Sequence, residues 1–264
     1  MTSEPRIVGV VLVRNEDLQI ERVLRNVAEF CDVIHVADHG SADGTPAILS
    51  RLAAEFSHLE IRRIREPRES NDLLQPYVGT STWIFGIDGD EIYDPAGLAR
   101  FRPQLLAGAF DGWWAVFGNV LNCDEIAVDR QKASGYLAPP CRSMTKLYNF
   151  RMLRALDATA PQRLHSHKGA DVFRPPYHAD LRHELYKQLG WEEADFRCLH
   201  TCFLPRSSQD TTTARENVTE SLQPARRLKR WLRSMVGLPT ASDYKGDKYR
   251  RGSRVTVDAT PFFP

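Results

Sequence analysis

Apolar runs of strand length alternate with segments of helix length through the first hundred residues of this chain. The run from Ile7 to Val13 is continuous and rich in β-branched residues, a pattern typical of strands covered on both faces. Residues 17–30 repeat apolar side chains at nearly helical spacing, and Thr45 with Pro46 suits the start of a helix that runs to about Phe56. The alternation predicts an α/β fold with a doubly wound, mostly parallel sheet and right-handed crossovers.

The remaining elements follow from the same patterns, which loosen beyond Asp94. A stretch rich in Pro, Ser and Gly, from about 121 to 143, resembles a loop over a site. We expect one main domain over 1–205, followed by a C-terminal helical extension and basic tail over 206–264. Further strands are predicted at 33–37, 59–64, 83–87, 113–121, 144–150 and 197–204, and further helices at 96–106, 180–189 and 209–222.

The balance of charges limits the partners that the chain can have. Lys and Arg number 35 and Asp and Glu number 34, so the formal net charge of +1 gives no global field that would recruit nucleic acid. The five cysteines form no CxxC pair and no zinc-ligand spacing, and their odd number argues against a disulfide framework. The apolar run near the N-terminus is too short for a membrane span. These features favour a cytoplasmic protein that binds anions at local sites.

Asp38 follows the second predicted strand and precedes a Gly-rich turn. Ligands of open α/β sheets bind outside the carboxyl ends of the strands. A carboxylate at that position can accept the imide N–H of a uracil-like base, while residues 14–16, at the end of the first strand, border the ribose. Asp38 could equally cap its own turn, and the sequence alone leaves both interpretations open.

A second carboxylate group, Asp88-Gly89-Asp90-Glu91, comes directly after the apolar strand 83–87. Carboxylates two residues apart at a strand end can point into one cleft and bind a hard divalent cation, which can bridge two phosphate oxygens. Such a cation would neutralise the charge that develops on a departing nucleoside diphosphate. An acidic surface turn is the alternative interpretation of this segment.

Three segments together resemble the family 2 glycosyltransferases: IVGVVLVRNED, VADHGSADGT and WIFGIDGDE. They occur in the order and at roughly the separations of that family, over about residues 6 to 95. The resemblance implies the GT-A fold, a nucleotide-sugar donor, most often a UDP-sugar, and Mn²⁺ or Mg²⁺ held by the DxD-like motif. It also implies a nucleotide-sugar-binding half over 1–95 and an acceptor-side half over 96–205.

The same resemblance implies a role for each matching residue. Asp38 would bind the base, Asp88 the ribose or a metal-bound water, and Asp90 the metal. His200, after a late strand, would complete the metal shell, although a buried histidine bonded to backbone carbonyls is the alternative. His39 stands where the family usually has a second Asp. The predicted donor-binding residues are Val13, Arg14, Glu16, Asp38, Asp88 and Gly89, and the predicted metal ligands are Asp90 and His200.

An inverting transfer to a hydroxyl acceptor needs a general base, usually Asp or Glu. Asp171, Asp180 and Glu184 lie in the stretch where that base should fall, and none of them stands in a recognisable motif. Asp180 is the candidate we prefer. A retaining mechanism stays open if no base exists.

Two basic segments near the C-terminus suggest further contacts. Residues 226–236 predict an amphipathic helix that would either lie on an anionic membrane or pack against the core. The basic, glycine-containing sequence of residues 244–254 is typical either of a mobile lid over the diphosphate or of a disordered tail. Two other functions remain. One is a nucleotidyltransferase, which ordinarily has a Gly-rich phosphate-binding loop after the first strand, and residues 14–16 provide no such loop. The other is a non-catalytic module that binds a nucleotide sugar.

Overall fold

Two β-sheets form the framework of the computed structural model, which describes residues 6–143, 145–157, 160–162, 164, 170–210 and 248–264. The strands are β1 Arg6–Val13, β2 Val33–Asp38, β3 Leu59–Arg63, β4 Thr82–Asp88, β5 Glu91–Tyr93, β6 Ala115–Phe117, β7 Asn119–Ala127, β8 Lys132–Leu137, β9 Lys146–Asn149, β10 Arg182–Glu184, β11 Arg197–His200 and β12 Arg254–Asp258. The α-helices in the described ranges are α1 Ile20–Val27, α2 Thr45–Glu55 and α3 Pro95–Leu106.

The larger sheet has the order β10-β6-β9-β4-β1-β2-β3. Neighbouring strands in this sheet are parallel, except that β9 pairs antiparallel with both β4 and β6. The chain places β2 and β3 on one side of β1 and β4 on the other, so the strand order reverses beside β1. Ligands of such sheets bind at the carboxyl ends of the strands around that reversal. The predicted α/β fold with a mostly parallel sheet is confirmed.

The two faces of the larger sheet are covered differently. Val11 lies in the same buried cluster as residues of all three α-helices, whereas Val8 and Val10 belong to a second cluster. Short 3₁₀ turns at Pro67–Leu73 and Gln75–Tyr77 contribute to that second cluster, so in the described residues turns, not α-helices, cover this face. Both faces of β1 are therefore buried, which explains its continuous apolar sequence.

The smaller sheet, in the order β12-β8-β7-β11-β5, was not predicted from the sequence. The chain passes from the larger sheet to the smaller one at Gly118, between β6 and β7. A side chain at Gly118 would overlap the carbonyl oxygen of Phe196. This close approach of two backbones splits the single strand that was predicted at 113–121.

Several predicted elements are corrected by the structure. The predicted loop at 121–143 contains the hairpin of β7 and β8. The predicted helix at 180–189 is instead the short strand β10 and a 3₁₀ turn, Leu185–Lys187. The late strand predicted to reach 204 ends at His200.

The described end of the chain packs against the smaller sheet. β12 pairs antiparallel with β8, and Val257 and Phe262 are buried in the main core. The described part of segment 244–254 leads into the paired strand β12 and is not a disordered tail, and the lid stays a prediction. The basic helix predicted at 226–236, and with it the membrane contact, lies outside the described residues, as does the helix predicted at 209–222 beyond residue 210. The division at 205 stays a prediction.

None of the helices in the described ranges is long and apolar enough to cross a membrane.

Gly135 offers a test of how closely β7 and β8 approach. A Cβ at this position would overlap the backbone carbonyl of Asn122, so we expect Gly135→Ala to lower the free energy of unfolding by about 2 kcal/mol or more through overpacking. Urea denaturation measures the change. Gly112→Ala is the matched control, because a Cβ there would meet no atom within 4 Å; equal stability of the two variants would contradict this packing.

Candidate functional site

The carboxyl ends of three adjacent strands bring most of the predicted site residues together. In the register of the sheet Val13 of β1 is level with Asp38 of β2, and Leu12 is level with Asp88 of β4. Asp38 and Asp88 therefore flank the end of β1 on its two sides. Arg14 is exposed immediately after Val13. These residues thus lie at the same edge of the larger sheet, as the sequence predicts from the carboxyl ends of its strands.

Two loops at this edge are tied to each other. Asn15 adopts a φ of 53°, a left-handed conformation that Asn tolerates better than most residues. Its backbone N–H donates to Ser41 Oγ at 2.9 Å, and its Oδ1 accepts from the backbone N–H of Ala42 at 2.8 Å. The backbone N–H of Glu16 donates to Thr45 Oγ1 at 2.8 Å. These bonds fix the loops that follow β1 and β2, and with them the position of Glu16.

Asp38 is nearly buried and accepts the backbone N–H of Ser41 at Oδ1, at 2.9 Å. The turn-capping interpretation of Asp38 is thus what the structure contains. One carboxylate oxygen suffices for that bond, so capping does not conflict with a second role in binding a base. The ring of His39 lies against the carbonyl of Arg65, with Nε2 at 2.9 Å from that oxygen.

The turn after β4 carries the acidic motif, and its two aspartates have different surroundings. The Asp88 side chain is 35% exposed, with Lys146 Nζ at 3.7 Å from Oδ2. Asp90 is nearly buried, and its backbone carbonyl accepts the N–H of Thr201 at 2.8 Å. A Cβ at Gly89 would lie 3.0 Å from Glu16 Cγ, so the glycine allows Glu16 to pack against this turn.

The smaller sheet brings His200 to Asp90. β11 pairs with β5 so that His200 is level with Glu91, and with β7 so that His200 is level with Asn122. Asn122 Nδ2 donates to the carbonyl of Tyr136, so its Oδ1, 2.9 Å from His200 Nδ1, is the acceptor. In the neutral ring Nδ1 then carries the hydrogen, and Nε2 presents its lone pair toward Asp90 Oδ2, 3.7 Å away.

The spacing of His200 and Asp90 fits a divalent cation. Metal bonds of about 2.0–2.2 Å to each atom can span the 3.7 Å between His200 Nε2 and Asp90 Oδ2. In the described ranges no group of three or more His, Cys, Asp or Glu side chains forms a complete metal shell. Asp90 and His200 would therefore supply only part of the ligands of a cation, and water and phosphate would supply the others.

Sequence reasoning missed Arg206, whose guanidinium lies inside this site. Its NH1 is 3.0 Å from Asp90 Oδ2 and 3.3 Å from Glu16 Oε1. Burial lowers the pKa of Arg206, but Asp90 and Glu16 outweigh burial and hold that pKa above its usual value. No local pattern around residue 206 indicates this contact, because both partners are more than a hundred residues away.

Glu91 is a second residue whose importance the sequence did not show. It is fully buried, and its Oε2 accepts from the Tyr93 hydroxyl at 2.8 Å. Burial raises the pKa of the Glu91 carboxyl to about 8, and the adjacent Asp88 carboxylate adds to this rise, while Lys146 opposes it. The motif is therefore a partly exposed aspartate, a nearly buried aspartate and an interior acid, not a row of equivalent carboxylates.

The structure does not bring the preferred base, Asp180, to the site. Asp180 precedes β10, which is parallel to β6 and hence runs in the same direction as β4. It lies at the amino end of β10, at the opposite edge of the sheet from Asp88, and we therefore withdraw it as the base. Asp171 is fully exposed beside Arg154. Glu184 ends β10 on the correct side, but a hydrogen bond from Lys187 holds its pKa low, which weakens it as a base.

No family model matches the chain, and no curated protein matches it. Among solved structures, a mannosyltransferase from Pyrobaculum calidifontis in complex with GDP-Man and Mn²⁺ is 23% identical over 47% of this chain and 37% of that chain, with a TM-score of 0.34. Glucosyl-3-phosphoglycerate synthase from Mycobacterium tuberculosis, in complex with Mn²⁺, UDP and glucosyl-3-phosphoglycerate, is 16% identical over 89% of this chain and 81% of that chain, with a TM-score of 0.45. A further mycobacterial protein is 14% identical over 96% and 84%, with a TM-score of 0.46.

Proposed function

We propose that the protein is a metal-dependent glycosyltransferase that moves a sugar from a nucleoside diphosphate donor, a UDP-sugar in the first instance, to a hydroxyl acceptor. One observation carries the proposal: Asp38 and Asp88 flank the end of β1 at the reversal of strand order, and Asp90, beside Asp88, faces the Nε2 of His200. The carboxylate proposed to bind the base and the aspartate proposed to bind the cation thus follow strands that end at one edge of the larger sheet, and β11 of the smaller sheet brings His200 to that aspartate.

The donor nucleotide would lie across the ends of β2, β1 and β4. Asp38 would accept the imide N–H of uracil, and Val13, Arg14 and Glu16 would border the ribose from the end of β1. Asp88 and Gly89 would lie beside the ribose and the first phosphate. The fixed loops after β1 and β2 mean that these groups need little rearrangement to bind the base.

Asp90 and His200 would hold Mn²⁺ or Mg²⁺ through Oδ2 and Nε2. The cation supplies Lewis-acid stabilisation of the departing diphosphate. Asn122 keeps the ring of His200 in the tautomer that can ligate, and the smaller sheet keeps the ring beside Asp90. We propose that the transfer inverts the configuration at the anomeric carbon of the sugar. None of the carboxylates in the described ranges is assigned as the general base of this step.

Turnover with a panel of nucleotide sugars tests this function. We expect release of UDP from a UDP-sugar that depends on Mn²⁺ and stops with a chelator, slowly without an acceptor and faster with one. Pyrophosphate release from a nucleoside triphosphate and a sugar phosphate would instead indicate a nucleotidyltransferase. Binding of UDP without turnover under any acceptor would indicate a binding module.

Asp38→Asn tests the base contact. An amide has only one acceptor oxygen, and the backbone N–H of Ser41 already uses one oxygen of Asp38. The variant would then turn its NH2 donors toward the imide N–H and would also lose the charge, so we expect UDP affinity in the presence of Mn²⁺ to fall by about tenfold or more. Calorimetry with UDP and CDP checks the reason, since cytosine has no imide N–H to donate. If UDP affinity is unchanged in the variant, Asp38 serves only its own turn.

A further inference from the structure

Arg206 occupies the space where the proposed cation has to act. Its NH1 contacts Asp90 Oδ2 at 3.0 Å, and His200 Nε2 lies 3.7 Å from that same oxygen. The side chain is only 19% exposed, and Glu16, itself nearly buried, is its other carboxylate partner. The guanidinium thus neutralises the carboxylates of the site when no other cation is bound.

The backbone around Arg206 is fastened to both donor-side loops. The carbonyl of Arg206 accepts the N–H of Leu18 at 3.0 Å, next to the loop after β1. Ser207 Oγ donates to Asp43 Oδ2 at 2.6 Å, and the backbone N–H of Ser208 donates to Asp17 Oδ1 at 2.7 Å. These bonds hold the backbone of Arg206 beside the two donor-side loops, so the guanidinium could leave Asp90 only by a change of its own side-chain rotamer.

A divalent cation on Asp90 Oδ2 would lie within a few ångströms of the guanidinium, and two positive groups at that separation repel each other. We propose that Arg206 is the resident counter-cation of the empty site, which competes with the divalent metal for Asp90 and transfers to the phosphates when a nucleoside diphosphate binds. Arg206 thereby couples the two ligands: the metal binds weakly alone and more tightly with the nucleotide. This inference rests on the proposed function.

Mn²⁺ titration followed by electron paramagnetic resonance, with and without UDP, tests the coupling directly. We expect Arg206→Met to bind Mn²⁺ about tenfold more tightly than the unaltered protein in the absence of UDP, and the enhancement of Mn²⁺ affinity by UDP to shrink by a similar factor. Arg206→Lys, which keeps a charge but loses the planar fork, should lie between the two.

Two further variants serve as controls for the effect of Arg206→Met. Arg102→Met removes one positive charge from a side chain that binds Asp32 at the amino end of β2, and it should leave Mn²⁺ binding unchanged. Glu16→Gln/Arg206→Met keeps the net charge of the site; it should fold if the single variant does not, and it should still bind Mn²⁺ alone more tightly than the unaltered protein.

The outcomes separate this inference from the proposed function. Unchanged Mn²⁺ affinity and unchanged enhancement by UDP in Arg206→Met would overturn the role of Arg206 and leave the glycosyltransferase proposal intact. Failure of the unaltered protein to bind Mn²⁺ even with saturating UDP would overturn both.

Discussion

Asp90→Asn is expected to lower Mn²⁺-dependent turnover of the donor by about 1000-fold, the loss that follows removal of one main electrostatic contact to the developing charge. The amide keeps the shape of the side chain but loses its charge, so the variant side chain would be a much weaker ligand than Asp90 for a hard divalent cation. Arg206 would keep Glu16 as a partner, 3.3 Å away, and the fold should survive. Initial rates of UDP release, with circular dichroism as the check on folding, measure the effect.

Asp72→Asn is the matched control for this variant. Asp72 is exposed, pairs loosely with Arg62 at 3.5 Å and belongs to the 3₁₀ turn away from the site. Its substitution should leave turnover unchanged. Full activity in Asp90→Asn would show that the metal, if one is required, is held elsewhere.

Asp94→Ala is expected to lower the free energy of unfolding by about 4 kcal/mol, because it leaves a buried guanidinium without its main partner. Asp94 Oδ2 lies 3.0 Å from Arg197 NH2, and both side chains are less than a tenth exposed. Asp94 also caps α3 by accepting the N–H of Gly97, which adds about 1 kcal/mol to the loss. The pair joins the start of α3 to β11, and therefore supports the strand that carries His200. Urea denaturation measures the loss.

Two comparisons make the stability prediction specific. Arg25→Ala breaks surface ion pairs with Glu21 and Glu55 and should cost about 1 kcal/mol or less. Asp94→Ala/Arg197→Met removes both buried charges and should recover part of the loss. A loss below 1 kcal/mol for Asp94→Ala alone would mean that the pair does not support the junction.

The first half of the fold was predictable because each element there carries its own local pattern. β1 is buried on both faces and reads as a continuous apolar run, and β2 and β4 end at Asp38 and Asp88, where the sequence placed the end of the sheet. The site residues on these strands followed from the rule that parallel strands present their carboxyl ends at one edge.

The second half depends on contacts that are distant in sequence, and local patterns do not encode them. β5, β6 and β10 have three residues each, too few for a periodicity to be read. Asp180 was preferred as the base without knowledge of the direction of β10, which puts it at the wrong edge. Arg206 and Asn122 enter the site only because the smaller sheet and the segment after β11 fold back onto β5.

A crystal structure of the protein with UDP and Mn²⁺ tests the central claim most directly. We expect UDP and the cation to lie next to each other along the edge of the larger sheet, with uracil on Asp38, the cation on Asp90 Oδ2 and His200 Nε2, and the Arg206 guanidinium moved from Asp90 to the phosphates. UDP bound away from the end of β1, or Asp38 and Asp90 in separate pockets with the cation on neither, would contradict it.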